Sequence, residues 1–85
     1  MEWELVVKRA REIKVQQVLG LTSFRRQHIR CPFHNERTPS CVIYPDGGFH
    51  CFGCSKNGQN ALDFLIAMGM TFKEALKYLD DNGFI

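Results

Sequence analysis

Two short motifs carry the residues of this 85-residue chain best suited to chemistry: Cys31-Pro-Phe-His34 and Cys51-Phe-Gly-Cys54. Each places two residues between its potential ligands, and sixteen residues separate the two pairs. In a tight knuckle, a side chain and the one three positions on can reach the same tetrahedral ion. Pro32 fixes φ in the first knuckle, and Gly53 is expected to permit the strained turn of the second. Three thiolates and one imidazole at about 2.0–2.3 Å make a closed ligand set for a single Zn2+, with no position left for water. A closed set points to a structural ion rather than a catalytic one. No nucleophile–base pair can be argued, so no catalytic residue is assigned.

Two disulfides, or a redox pair at Cys51-x-x-Cys54, compete with this reading. The redox pair lacks the strand-to-helix context of thioredoxin-like proteins. Met1-Glu2-Trp3-Glu4 carries acids early and has no signal-peptide organisation. No apolar run approaches the roughly 20 residues of a membrane span. The expectation is therefore a cytoplasmic protein with no membrane partner, where four cysteines read as ligands before disulfides. Cys41, His28 and His50 also lie near. Cys41 sits inside a strand with no partner two or three residues away, and reads as a small core residue. His50 adjoins Cys51, and on a strand it points to the opposite face.

Three segments of one zinc-binding domain, 1–85, must position these groups. The first, 1–24, reads as two short helices, with Leu5, Val6, Ala10 and Ile13 as a partial apolar stripe extended by Val15, Val18 and Leu19. Gly20 is expected to close it through a left-handed cap. The second, 25–58, has β grammar. Ser40-Cys41-Val42-Ile43-Tyr44 and Gly48-Phe49-His50-Cys51 flank the turn former Pro45-Asp46-Gly47, and 27–30 suits a further strand leading into Cys31. The third, 59–85, reads as a helical pair covering one face of the sheet. Asn60 caps the first helix and Gly69 stops it. Thr71-Phe72-Lys73-Glu74 is a capping box before the stripe Phe72, Ala75, Leu76 and Leu79, and Gly83 ends that helix. A chain this short buries only about 60% of its unfolded surface, so a metal staple would help. The fold class expected is small α+β, an antiparallel sheet with N- and C-terminal helices packed on it.

Net charge is +2, unevenly spread: residues 1–40 hold eight Lys/Arg against four acids, and residues 41–85 hold three against five. A local basic surplus suits an anionic partner, although a solvated helix face accounts equally well for the cluster between Lys8 and Lys14.

The string Cys31-Pro-Phe-His-Asn-Glu-Arg-Thr-Pro-Ser40, then Phe49-His-Cys-Phe-Gly-Cys54, then Gly58-x-x-Ala-x-Asp-Phe64, resembles the zinc-binding domain of bacterial and phage DNA primases of the DnaG type. Phe72-x-Glu-Ala75 fits the C-terminal helix of that family. Cys41 stands where the family usually has an aromatic residue, and the segment between Gly20 and Arg30 is shorter than the family's Lys/Gly-rich stretch. The resemblance implies a zinc ribbon flanked by helices. It also implies engagement of single-stranded template DNA, support of primer initiation in replication, a separate primase catalytic domain, and a replicative helicase as a further partner. The chain has no Asp-x-Asp or other acidic constellation able to hold catalytic magnesium.

Single-strand binding needs cations for phosphates and exposed rings for bases. Arg25, Arg26, Arg30 and Arg37 bracket the first knuckle, Lys56 follows the second, and these are expected to converge on the zinc end. Tyr44 and His50 are candidate stacking residues, whereas Phe49 and Phe52 are expected in the core. The competing readings are a zinc ribbon that docks a polymerase or helicase without touching DNA, and a stand-alone regulatory zinc protein of a mobile element.

Overall fold

The computed structural model describes residues 3–22, 25–33 and 40–85. Helix α1 (Trp3–Arg11) and the short α2 (Val15–Leu19) precede a four-stranded sheet of β1 (Gln27–Ile29), β2 (Cys41–Ile43), β3 (Phe49–Cys51) and β4 (Asn57–Gly58). Helices α3 (Ala61–Ala67) and α4 (Phe72–Asp81) follow. The sheet is an antiparallel meander in the order β1-β2-β3-β4. The small α+β class and the two-helix reading of the N-terminal segment agree with this architecture. The two-residue β4 was not expected. Among the described residues, no helix is long and apolar enough to cross a membrane.

Local signals explain most boundaries. Gly20 adopts a left-handed conformation (φ 69°) and ends α2, at little cost for a residue without Cβ. The β2–β3 connection turns at Gly47, while the Asp46 carboxylate accepts the Gly48 N–H at 3.0 Å. The Asn60 side chain accepts the Asp63 N–H at the start of α3. At α4 the capping box is complete: Thr71 Oγ1 accepts the Glu74 N–H (3.1 Å), and Glu74 Oε1 accepts the Thr71 N–H (3.0 Å). The Thr71 backbone N–H first and the Thr71 hydroxyl second, each facing the carboxylate, hold the Glu74 carboxyl below its ordinary pKa. A depressed folded-state value stabilises above the ordinary glutamate range, and the contribution fades as pH falls through the folded value. Thr71→Ala is expected to lower Tm by about 4–8 °C at neutral pH, read by a thermal melt.

Helix α3 is the shared wall of two apolar clusters. On one side Leu62 and Leu65 pack with Ala10 and Ile13 of the N-terminal helical segment and with Ala75, Leu76 and Leu79 of α4. On the other side Phe64 packs with Val15, Ile43, Phe49, the strand residues Cys41 and Cys51, and Cys31 beyond β1. Helix α4 thus rests on α1 and α3, while α3 meets the sheet through Phe64 and α2 through Val15. Leu5 and Phe72, expected on the buried stripes, are 46% and 42% exposed, and Val7 packs on the cluster in the α1 stripe. Gln16 ties α2 to the hairpin: its side-chain amide donates to the Tyr44 carbonyl (2.7 Å), and the Val15 N–H donates to the Gly47 carbonyl (3.1 Å).

Candidate metal centre

The sheet brings three sulfurs together from separate stretches of chain. Cys31 lies two residues past the end of β1, Cys51 ends β3, and Cys54 closes the knuckle that follows. Register explains the meeting, since Ile29 pairs with Cys41 and Cys41 with Cys51. The exit of β1 and the exit of β3 therefore lie at the same end of the sheet. The second knuckle is held by backbone bonds: the Ser55 N–H donates to the Cys51 carbonyl (2.8 Å) and the Cys51 N–H to the Lys56 carbonyl (2.8 Å). Its left-handed residue is Ser55 (φ 65°) rather than Gly53. The strain falls after the second ligand, where the chain reverses into β4.

The Sγ atoms of Cys31, Cys51 and Cys54 all lie within 4.8 Å of one another. The Cys31 and Cys54 sulfurs are 3.7 Å apart. That is far beyond a disulfide bond of about 2.05 Å, and none of the four cysteines is disulfide-linked. It matches the edge of a tetrahedron of sulfurs at about 2.3 Å from a central ion, roughly 3.8 Å. Cys31 and Cys51 are buried and Cys54 is partly so. Clustered thiolates in so dry a place repel one another unless a dication neutralises them. The donor set therefore fits zinc. The Ser40 hydroxyl lies 3.4 Å from the Cys51 sulfur and can donate to it as an outer partner, the kind of contact that orients a ligand. Cys41, although buried and opposite Cys51, is outside the sulfur group. His34 and Arg37, named from the sequence as a metal ligand and a DNA contact, lie outside the described residues.

Beneath the sulfurs, Phe33, Phe49 and Phe64 form a ring triad with centroid separations of 5.6, 5.3 and 5.1 Å, two of the pairs edge-to-face. Lys56 seals its edge. The ammonium lies 5.4 Å from the Phe33 ring and donates to the Ala67 carbonyl (2.9 Å) at the end of α3. Sequence reasoning had no signal for that bond.

The remaining polar candidates are spread along β1 rather than gathered at the metal end. Arg25 and Arg26 precede β1 and are exposed beside the hairpin turn, with the Arg26 guanidinium 5.7 Å from the Tyr44 ring. Arg30 is exposed next to Cys31. Among the described residues, Arg30 and Lys56 lie at the metal end but Arg25 and Arg26 do not join them: five residues at about 3.3 Å each separate Arg25 from Arg30. Strand alternation instead aligns Arg26, His28 and Arg30 on one face. In register that face also carries Val42 and His50, and by continued alternation Tyr44 and Phe52. Phe52, expected in the core, is 63% exposed and lies tilted against the His50 ring, with centroids 4.4 Å apart. Phe49, one pleat away, is buried as expected. His28 was not singled out as a contact, and alternation about Arg26 and Arg30 was the signal that could have found it.

The chain is 47% identical over 51 residues to a DNA primase of Chlamydia trachomatis, covering 58% of this chain and 8% of that protein. Against a DNA primase of Listeria monocytogenes it is 49% identical over 53 residues, covering 60% and 8%. Against that of Escherichia coli K12 it is 55% identical over 40 residues, covering 46% and 7%. The match thus spans less than a tenth of the length of these relatives. The CHC2 zinc finger family, the zinc ribbon of DnaG-type primases, matches residues 7–84. With its cysteine cluster at the end of a four-stranded antiparallel sheet, the chain belongs to that family.

Proposed function

We propose that residues 1–85 act as one zinc-binding domain that engages single-stranded template DNA for a primase, with the polymerase chemistry supplied by a separate catalytic domain. One structural Zn2+ is held by Cys31, Cys51 and Cys54 with His34 as fourth ligand. The ion supplies charge neutralisation and a crosslink between two turns. The protein's own residues shape the surface. The carrying observation is the outer face of the sheet, turned away from α3, where the exposed Arg26, His28, Arg30 and Phe52 and the half-buried Tyr44 and His50 surround a buried Val42, with Arg26 beside Tyr44 and His50 against Phe52. Bases stack on such rings without needing sequence-specific hydrogen bonds, while the arginines take phosphates.

The test is fluorescence anisotropy of a single-stranded oligonucleotide at two salt concentrations. Tyr44→Ala and Phe52→Ala are each expected to weaken binding by about 1–3 kcal/mol. Arg30→Ala should reduce the salt slope by about 0.7. Wild-type affinity and slope in all three variants would overturn the DNA reading and leave a protein-docking zinc ribbon, whose partner would be a polymerase or a replicative helicase.

A further inference from the structure

The metal reading leaves one buried thiol outside the ligand set. Cys41 faces Cys51 directly across the β2–β3 ladder. The Tyr44 N–H donates to the Gly48 carbonyl (2.9 Å) and the Phe52 N–H to the Ser40 carbonyl (3.0 Å). These hydrogen-bonded pairs alternate with open ones, and counting along the ladder puts Cys41 and Cys51 at an open pair. There, opposed Cα atoms stand about 4.5 Å apart and side chains approach most closely. That separation falls within the roughly 4.4–6.8 Å that a disulfide spans. Both side chains occupy the same sheet face in the same apolar cluster.

We propose that Cys41 is a resolving thiol for the metal centre, closing a Cys41–Cys51 disulfide when a peroxide oxidises the ligand sulfurs. The pairing stands on the sheet register, and only the accompanying release of zinc rests on the metal reading above. Cys54, the most accessible of the three clustered sulfurs, is the point of entry. Its thiolate attacks one peroxide oxygen, so that an S–O bond forms, the O–O bond breaks and hydroxide leaves. The Cys51 sulfur attacks the Cys54 sulfur, an S–S bond forms and a second hydroxide leaves. The Cys41 sulfur then attacks Cys51, Cys54 departs as thiolate, and the Cys41 proton converts one hydroxide to water. Two electrons pass from sulfur to peroxide, and the ion remains divalent throughout.

The final pair differs from its competitors in what holds it. Cys31 with Cys54, and Cys51 with Cys54, meet at knuckles gathered around the ion, and their proximity declines as the ion departs. Cys41 and Cys51 are held face to face by ladder bonds on both sides while the sheet is still formed, so the exchange onto Cys41 precedes full release of the ion, and the crosslink then keeps β2 and β3 joined. The exchange therefore runs toward Cys41–Cys51, which removes Cys51 from the ligand set and leaves Cys31 and Cys54 as thiols. Reduction reopens the site.

The experiment treats zinc-loaded protein with hydrogen peroxide, follows released zinc with a chromogenic chelator, alkylates remaining thiols under denaturation and maps disulfides by mass spectrometry. Expected are loss of the zinc, a Cys41–Cys51 crosslink as the major species, alkylated Cys31 and Cys54, and recovery of zinc binding after a thiol reductant. In Cys41→Ala the exchange is expected to stop at Cys51–Cys54. A wild-type map dominated by Cys51–Cys54 or Cys31–Cys54 overturns the proposal. Protein that carries no zinc before oxidation would defeat the metal reading instead, and the same disulfide map on that protein would still decide the pairing.

Discussion

Purified protein is expected to carry one zinc per chain, and a strong chelator is expected to unfold its sheet, the largest effect foreseen, on the order of 10 kcal/mol. The reason lies in the shortness of the strands. β1, β2 and β3 have three residues each and β4 has two, and such strands are not stable alone in water. Cys31 and Cys51 lie far apart in sequence, and without an ion their meeting rests on β2, which pairs with both β1 and β3. The three clustered sulfurs, two of them buried, would then be left close-packed without a cation. The second apolar cluster, built from α1, α3 and α4, does not touch the sulfurs. Chelation should therefore abolish the near-ultraviolet aromatic signal of the phenylalanine triad and the cooperative melt, while part of the helical signal persists. Elemental analysis gives the stoichiometry, and circular dichroism before and after chelation gives the folding readout. A metal-free protein with an unchanged melt would remove the basis of the metal centre.

How far the chain announces this arrangement depends on how local each determinant is. The capping box at Thr71 and Glu74, the Asn60 cap, the left-handed Gly20 and the turn at Gly47 act within a few residues, and each is readable as chemistry. The ligand pairs are readable for the same reason, because a knuckle closes over four residues. β4 is not. It exists because Gly58 has no side chain: a Cβ there would meet Asp63 Cβ at 2.5 Å and Phe49 Cε1 at 2.7 Å. That constraint comes from a strand and a helix brought together by the fold. The bond from Lys56 to the end of α3 is likewise tertiary.

The surface assignments fail for a different reason. Reading Arg25, Arg26 and Arg30 as one cluster neglects that β1 lies between them, so that neighbours in sequence reach opposite ends of the strand. Phe49 and Phe52 differ in fate because three residues is an odd number of pleats, a distinction that composition does not carry but register does. Gly53 and Ser55 exchange roles because the knuckle turns after Cys54, where β4 must begin.

Phe64→Ala carries the second largest expected effect, because Phe64 joins the helices to the metal end. Its side chain is 1% exposed and contributes to two of the three ring pairs, with Phe33 and Phe49. Truncation removes buried ring area and leaves a cavity that α3 and the sheet cannot both close, since α3 is also held from its other side by Leu62 and Leu65. The expected cost is about 3–5 kcal/mol, a large part of the stability available to a domain of this size. For the zinc-loaded protein that is a fall in Tm of roughly 15 °C or more. Phe52→Ala supplies the contrast. It removes an equally large ring that is mostly in water, so its melt should stay within about 0.5 kcal/mol of wild type while its oligonucleotide affinity falls. Phe33 sits on the same triad and on the first knuckle, so loosening the triad should also speed zinc transfer to a competing chelator in Phe64→Ala. If Phe64→Ala melts within a few degrees of wild type, the triad is not what couples the helices to the metal end, and the shared-wall role of α3 fails with it.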